Sequence, residues 1–217
     1  MNNLKTIIFD YDGIISESVK VKTEAFAEIY SPFGHDIVKK VIQHHEANGG
    51  VSRFDKFLYY HREFLNVYLS EKELVKLTNT FSNLVLQNVI DSEYVKGVYD
   101  FISLNYKKYN FFISTGTPKV EIDIILNKKK LSQYFVEVFG SPEKKDLHVK
   151  KIIKDYNLIN REIIFVGDAL SDRNAARENG VTFIGRFTTV DEIKDEKYLI
   201  KDFTNFDKFL KDIGFEQ

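Results

Sequence analysis

The sequence predicts an α/β fold: a parallel sheet covered on both faces, its strands joined by crossover helices and its first connection enlarged by a helical insertion. Three observations predict it. Four apolar runs are each too short for a helix: TIIFD ending at Asp10, FFIST at Thr115, EIIFVGD at Asp168 and VTFIG at Gly185. Rich in β-branched and aromatic residues and apolar at successive positions, they read as strands buried on both sides. Helical segments separate them, for instance Lys145 to Asn157 and Asp172 to Asn179, the alternation expected of a sheet with crossover helices. Finally, about 70 residues between the first and second runs hold no convincing strand, far more than an ordinary crossover needs.

Taken in order, the first run closes on two acids and a glycine, DYDG from Asp10 to Gly13. The insertion follows from about Val19 to Val89. VKTEAFAEIY, RFDKFLYYHREFL and SEKELVKLTNTFSNLVL all have helical spacing, with Leu74, Leu77, Phe81, Leu84 and Val85 along one face. Ser70 followed by Glu73 predicts a capping box for the last of these, and Ser52 predicts an N-cap for SRFDKF. The second run leads through Thr117 to a helix starting at Pro118, whose cap Ser114 or Thr117 could supply. The third leads through GDALSD into another helix.

The gross properties exclude several classes. A chain of 217 residues with 43% hydrophobic and 29% charged residues folds around a full core. A formal net charge of -1 gives no electrostatic reason for nucleic acid or an anionic membrane as a partner. With no cysteine, disulfides, thiolate metal sites and cysteine nucleophiles are ruled out. The opening MNNLKTIIFD reaches an acid too soon for a signal peptide or a membrane span, so a cytoplasmic protein is expected, as a monomer or small homo-oligomer.

Ligands of an open parallel sheet sit beyond the carboxyl ends of its strands. There this sequence places Asp10 and Asp12, then Ser114 and Thr115, then Asp168 with Asp172 one turn on. Four carboxylates at one edge repel unless a cation neutralises them. Hard cations such as Mg2+ take oxygen ligands and keep positions open for water and phosphate. GSPEKKDLHVKK adds Lys144 or Lys145 as a second source of positive charge.

DYDG after a first strand, Ser-Thr-Gly after a second, a lysine before a helix and GDALSD after a later strand together resemble the haloacid dehalogenase superfamily, most of whose members are Mg2+-dependent phosphatases and phosphomutases. The resemblance implies a Rossmann-like, doubly wound core from residues 1–17 and 90–217, with an α-helical cap inserted at 18–89. It implies Asp10 as a nucleophile forming an aspartyl-phosphate, and Asp12 as general acid and base, with its backbone carbonyl on the metal. Ser114, with Thr115 and Gly116, would hold the phosphoryl oxygens, and Lys145, three residues after Pro142, would neutralise them. Asp168 would complete the ligands of Mg2+, and Asp172 would ligate through water or hold the lysine. Ile14 and the pair Glu17-Ser18 depart from the commonest residues of the family without touching a proposed ligand, and the acid at Asp12 argues against its dehalogenases.

Within the insertion, HHEANGGVSRFDKF gathers His44, His45, Arg53 and Lys56 around paired glycines. Arg53 is the expected grip on a second anionic or hydroxyl-rich part of a substrate. Zinc on His44 and His45 is not expected, because adjacent helical residues face different ways. The expectation is therefore a Mg2+-dependent phosphatase of a small phosphorylated metabolite, a sugar phosphate or a phosphoglycolate-like acid. The alternatives are a phosphomutase similar to β-phosphoglucomutase and a non-enzymatic phosphate-ligand-binding protein on the same scaffold.

Overall fold

The computed structural model describes residues 2–187 and 193–216. Strand β1 (Asn2–Asn3) precedes β2 (Thr6–Phe9), the central strand. Helices α1 (Val19–Tyr30), α2 (His35–Ala47), α3 (Arg53–Leu65) and α4 (Glu71–Asp91) follow, with no strand among them. Then come α5 (Val98–Asn105), β3 (Asn110–Pro118), α6 (Lys119–Lys128), β4 (Glu137–Ser141), α7 (Lys145–Asp155), β5 (Ile163–Gly167), α8 (Leu170–Glu178) and β6 (Thr182–Arg186). The chain closes with β7 (Leu199–Ile200), α9 (Phe206–Asp212) and β8 (Phe215–Glu216), which pairs with β1. None of the described helices is long and apolar enough to cross a membrane.

Six strands form one parallel sheet in the order β4-β3-β2-β5-β6-β7. Winding starts at β2 and runs outward in both directions, so a crevice opens where β2 meets β3 and β5. The register sets Ile8 beside Phe112 and Phe165, and Phe9 beside Ile113 and Val166. Alternation then sorts the side chains. Ile7, Phe9, Phe111, Ile113, Ile164 and Val166 face one core, and Ile8, Phe112, Phe165 and Phe183 the other. Val149 and Ile152 of α7, with Ala175 and Ala176 of α8, seal the second core.

The four helices of the insertion share an aromatic centre, in which the Phe26 ring lies 4.5 Å from Phe81 and 5.4 Å from Phe57. Phe81 and Val85 are buried, and Leu74, Leu77 and Leu84 pack partly buried beside them, the face that the spacing predicts. The Ser70–Glu73 capping box forms, and Ser52 Oγ accepts from the Asp55 N–H at 3.2 Å. His44 and His45 lie in the last turn of α2, ahead of the paired glycines.

Candidate active site

Asp10 follows β2 directly, at the crevice, and is 2% exposed. Its Oδ1 accepts from the Tyr11 N–H at 2.7 Å, and its Oδ2 lies 2.8 Å from Lys145 Nζ. Lys145 is the first residue of α7 and also donates to Asp172 Oδ1 at 2.6 Å; Lys144, at the N-cap, is exposed. Asp172 in turn accepts at 3.1 Å from the Ala169 N–H, tying the start of α8 to the end of β5. One carboxylate oxygen each from Asp10, Asp168 and Asp172 lies within 4.8 Å of the others.

Two glycines permit this crowding. Gly13, at φ +77°, could not carry a Cβ, which would fall 2.1 Å from Asp168 Oδ2. Gly50, at φ +72° in the loop between α2 and α3, would place one 2.8 Å from Lys145 Nζ and 2.3 Å from Ser171 Oγ. The insertion therefore approaches Lys145, the partner of the carboxylates, through bare backbone, held there by Ser171 Oγ donating to the Gly49 carbonyl at 3.0 Å.

Three carboxylates thus face one ammonium. Burial, with Asp10 and Asp172 close by, pushes the Asp168 carboxyl well above its usual range. Burial and Asp10 likewise raise Asp172 to about 7, against the pull of Lys145. Burial alone would lower the Lys145 ammonium, but Asp10 and Asp172 carry it above its ordinary value. All three donors are hard oxygens with an uncompensated negative charge, which fits a divalent cation of the Mg2+ type.

Asp12 lies apart from that cluster. It accepts from Ser18 Oγ at 2.6 Å, from Thr117 Oγ1 at 3.0 Å and, by a short contact, from Lys22 of α1. Burial acts to raise its carboxyl; the Lys22 charge and these three donors outweigh burial and hold it below the usual value. Neither Lys22 nor Thr117 was expected in the site on sequence grounds. The available signal was helical spacing: Ser18 and Lys22, four residues apart just after DYDG, share a face.

Two expected residues make their contacts away from the carboxylate cluster. Ser114 is fully buried with its Oγ 2.9 Å from His148 Nδ1 of α7, and it lines neither of the two clefts that border the Gly49–Gly50 loop. Thr115 and Gly116 instead line, with Lys145 and Gly50, a small cleft of about 200 Å³. Arg53 does not point at the carboxylates. Its guanidinium grips Glu121 of α6 through two bonds, 2.9 and 2.7 Å, donates to Ser82 Oγ at 2.8 Å and covers the Phe81 ring. It joins the insertion to the core. Nor do the two histidines act together: His44 stacks on Tyr59, and His45 meets Lys56.

A larger cleft of about 1150 Å³ also borders the Gly49–Gly50 loop, lined by Asp12, Lys22, His45 and Asp168 among others. Gly50 lines both clefts; the smaller reaches Lys145 and the larger reaches Asp168.

A family model for haloacid dehalogenase-like hydrolases matches residues 7–186. Among solved structures, β-phosphoglucomutase from Clostridium difficile is similar over 97% of this chain and 99% of its own, at 19% identity and a TM-score of 0.75. A predicted phosphoglycolate phosphatase from Haemophilus somnus 129PT aligns over 96% and 98%, at 19% identity and a TM-score of 0.74. A haloacid dehalogenase-like family hydrolase from Streptococcus pneumoniae aligns over 90% and 93%, at 16% identity and a TM-score of 0.66. No curated protein matches the sequence. At these identities the structural neighbours speak for the fold, while the family model spans most of the chain and both acidic motifs: the protein belongs to the haloacid dehalogenase-like hydrolase family.

Proposed function

We propose that the protein is a Mg2+-dependent phosphatase of small phosphate esters, working through an aspartyl-phosphate. The observation that carries the proposal is the division of the acids. Asp10 shares Lys145 with two further carboxylates, whereas Asp12 stands outside with its own lysine and two hydroxyls. Asp12 is held low while burial drives Asp168 and Asp172 up, and acids whose surroundings push them in opposite directions mark divided chemical roles.

Asp10 Oδ1 or Oδ2 attacks phosphorus, forming an O–P bond as the ester O–P bond breaks. The departing alkoxide takes a proton from Asp12, whose contact with Lys22 belongs to its ionised form and opens when it carries that proton. Once ionised again, Asp12 accepts a proton from the water that hydrolyses the aspartyl-phosphate. Lys145 balances charge shared between Asp10 and the phosphoryl oxygens, and the Thr115 hydroxyl and the backbone at Gly116 supply donors to them. Asp10 and Asp168, with the Asp12 carbonyl, would hold Mg2+, while Asp172 keeps Lys145 in place. When bound, the ion offsets the carboxylate charge and polarises a phosphoryl oxygen.

We assign the helices of residues 18–89 to a cap that roofs the site through the Gly49–Gly50 loop, leaving space for a small metabolite. The test is phosphate release from a panel of phosphorylated metabolites with Mg2+, beside Asp10→Asn. Release that the substitution abolishes without loss of folding supports the assignment. Folded protein releasing phosphate from no ester refutes it, and isomerisation of a sugar phosphate without release would favour a mutase.

A further inference from the structure

His45 is the half of the histidine pair that turns inward. It is 7% exposed, its ring lies 4.8 Å from that of Phe26, and it lines the larger cleft together with Asp12 and Lys22. Lys56 of α3, 2% exposed, has its Nζ 2.8 Å from His45 Nδ1. An ammonium group only donates, so the Nδ1 it meets has to be the accepting nitrogen of the ring. A neutral ring then carries its proton on Nε2. Burial, and then the charges of Lys56 and Lys22, hold the ring well below its ordinary pKa, in keeping with that state. Nε2 meets no protein acceptor among the described residues, and it is not one of the sealed, unpartnered polar atoms. It therefore opens into the cleft as a donor of fixed direction.

We propose that His45 reads the leaving group: its Nε2–H donates to an oxygen acceptor, hydroxyl or carboxylate, on the alcohol side of the ester, with Lys56 as the positioning residue that fixes the tautomer. The inference rests on the phosphatase reading for the identity of the ligand. It deepens that reading, because the same cleft reaches Asp12, the group assigned to protonate that alcohol. A ring that served packing alone would not need a buried ammonium directed at one of its nitrogens.

Two measurements test it. Long-range 15N–1H spectra of the folded protein should show His45 protonated on Nε2 and bare on Nδ1, with Lys56→Met mixing the tautomers. In assays with Mg2+, kcat/KM is compared for glycerol 1-phosphate, phosphoglycolate and methyl phosphate, which offer hydroxyls, a carboxylate and neither. In His45→Phe the preference for an acceptor-bearing ester over methyl phosphate should fall roughly tenfold, the scale of one lost hydrogen bond, chiefly through KM. His45→Gln, which keeps an N–H donor, should recover part of it. Which of the two esters loses its preference names the acceptor. A proton on Nδ1, or a preference that moves less than about twofold in His45→Phe, overturns the proposal. Should no ester be turned over, the phosphatase reading fails separately. The His45 Nε2–H signal of Asp10→Asn titrated with glycerol 1-phosphate then decides: a shift on saturation supports the contact, and an unmoved signal refutes it.

Discussion

Replacing Arg53 by alanine separates a structural tie from a substrate grip. The guanidinium is 4% exposed and makes paired bonds to the carboxylate of Glu121, whose side chain keeps 14% of its surface. Removing one partner of a fully buried ion pair costs about 3–5 kcal/mol, because the other charge is left uncompensated. Glu121 retains some water and the Ser82 hydroxyl at 2.5 Å, so the lower end applies, about 3 kcal/mol. For a chain of this size that corresponds to a fall in Tm of roughly 6–12 °C. Thermal unfolding followed by circular dichroism measures it. Glu121→Gln and the double variant complete a cycle whose coupling should be about 1–3 kcal/mol. Arg53→Lys, which keeps the charge and loses the fork, should fall between wild type and alanine. If Arg53→Ala leaves Tm unchanged and raises KM instead, the tie between α3 and α6 is not what this residue provides, and the expectation of a substrate contact returns.

Two further predictions concern ionisation and metal. Burial, and next Lys145, lower the His148 imidazole to about 4, so the folded state binds fewer protons than the unfolded state between that value and the ordinary 6.5. Its contribution is complete above about pH 6.5 and disappears as pH falls toward 4, a change on the order of 3 kcal/mol. Urea unfolding across that window should show the loss in wild type and a flatter dependence in His148→Gln; equal slopes would contradict the assignment. For the metal, Mg2+ at a hundred times its Kd should stabilise the protein by about 2.7 kcal/mol, or roughly 5–11 °C in Tm. Asp168→Asn should remove most of that rise while leaving the metal-free protein at least as stable, since its carboxylate is crowded by Asp10 and Asp172. A lower metal-free Tm would show that the carboxylate is held by favourable bonds.

What the sequence made legible follows from where its signals are local. The strands β2, β3, β5 and β6 announce themselves because both their faces are covered, so their apolar runs are unbroken. Strand β4 at the sheet edge is only partly buried, and EVFGS lacks such a run. The acids Asp10, Asp12, Asp168 and Asp172 stand out because each follows a buried strand within a few residues. The placement of Ser114 is less legible, for a related reason. Side chains alternate along a strand, and β3 changes register between Ser114 and Pro118, so neighbouring hydroxyls of Ser114 and Thr115 go to different surroundings. The partner of Arg53 lies 68 residues away on another helix, beyond any periodic pattern. Lys56 behind His45 is hidden in the same way, since its meaning depends on how α2 and α3 pack.

The two lysines explain why so many acids are tolerated at one edge of the sheet. Lys145 enters from the core, at the first turn of α7, and compensates part of a three-carboxylate cluster that still carries excess negative charge. Lys22 enters from the insertion, on α1, and pairs with the one acid outside that cluster. Burial acts in the same direction on Asp12, Asp168 and Asp172, yet Asp12 is held low while the other two are driven up. The difference lies in the ratio of cations to carboxylates in each group, not in depth. A divalent ion held by the first group, as proposed, would correct its excess charge with no need to touch the Asp12 side chain. The insertion, by contrast, reaches the chemistry through Lys22 and the Gly49–Gly50 backbone, so a movement of α1 changes the charge balance at Asp12 without disturbing the carboxylates that would hold the metal.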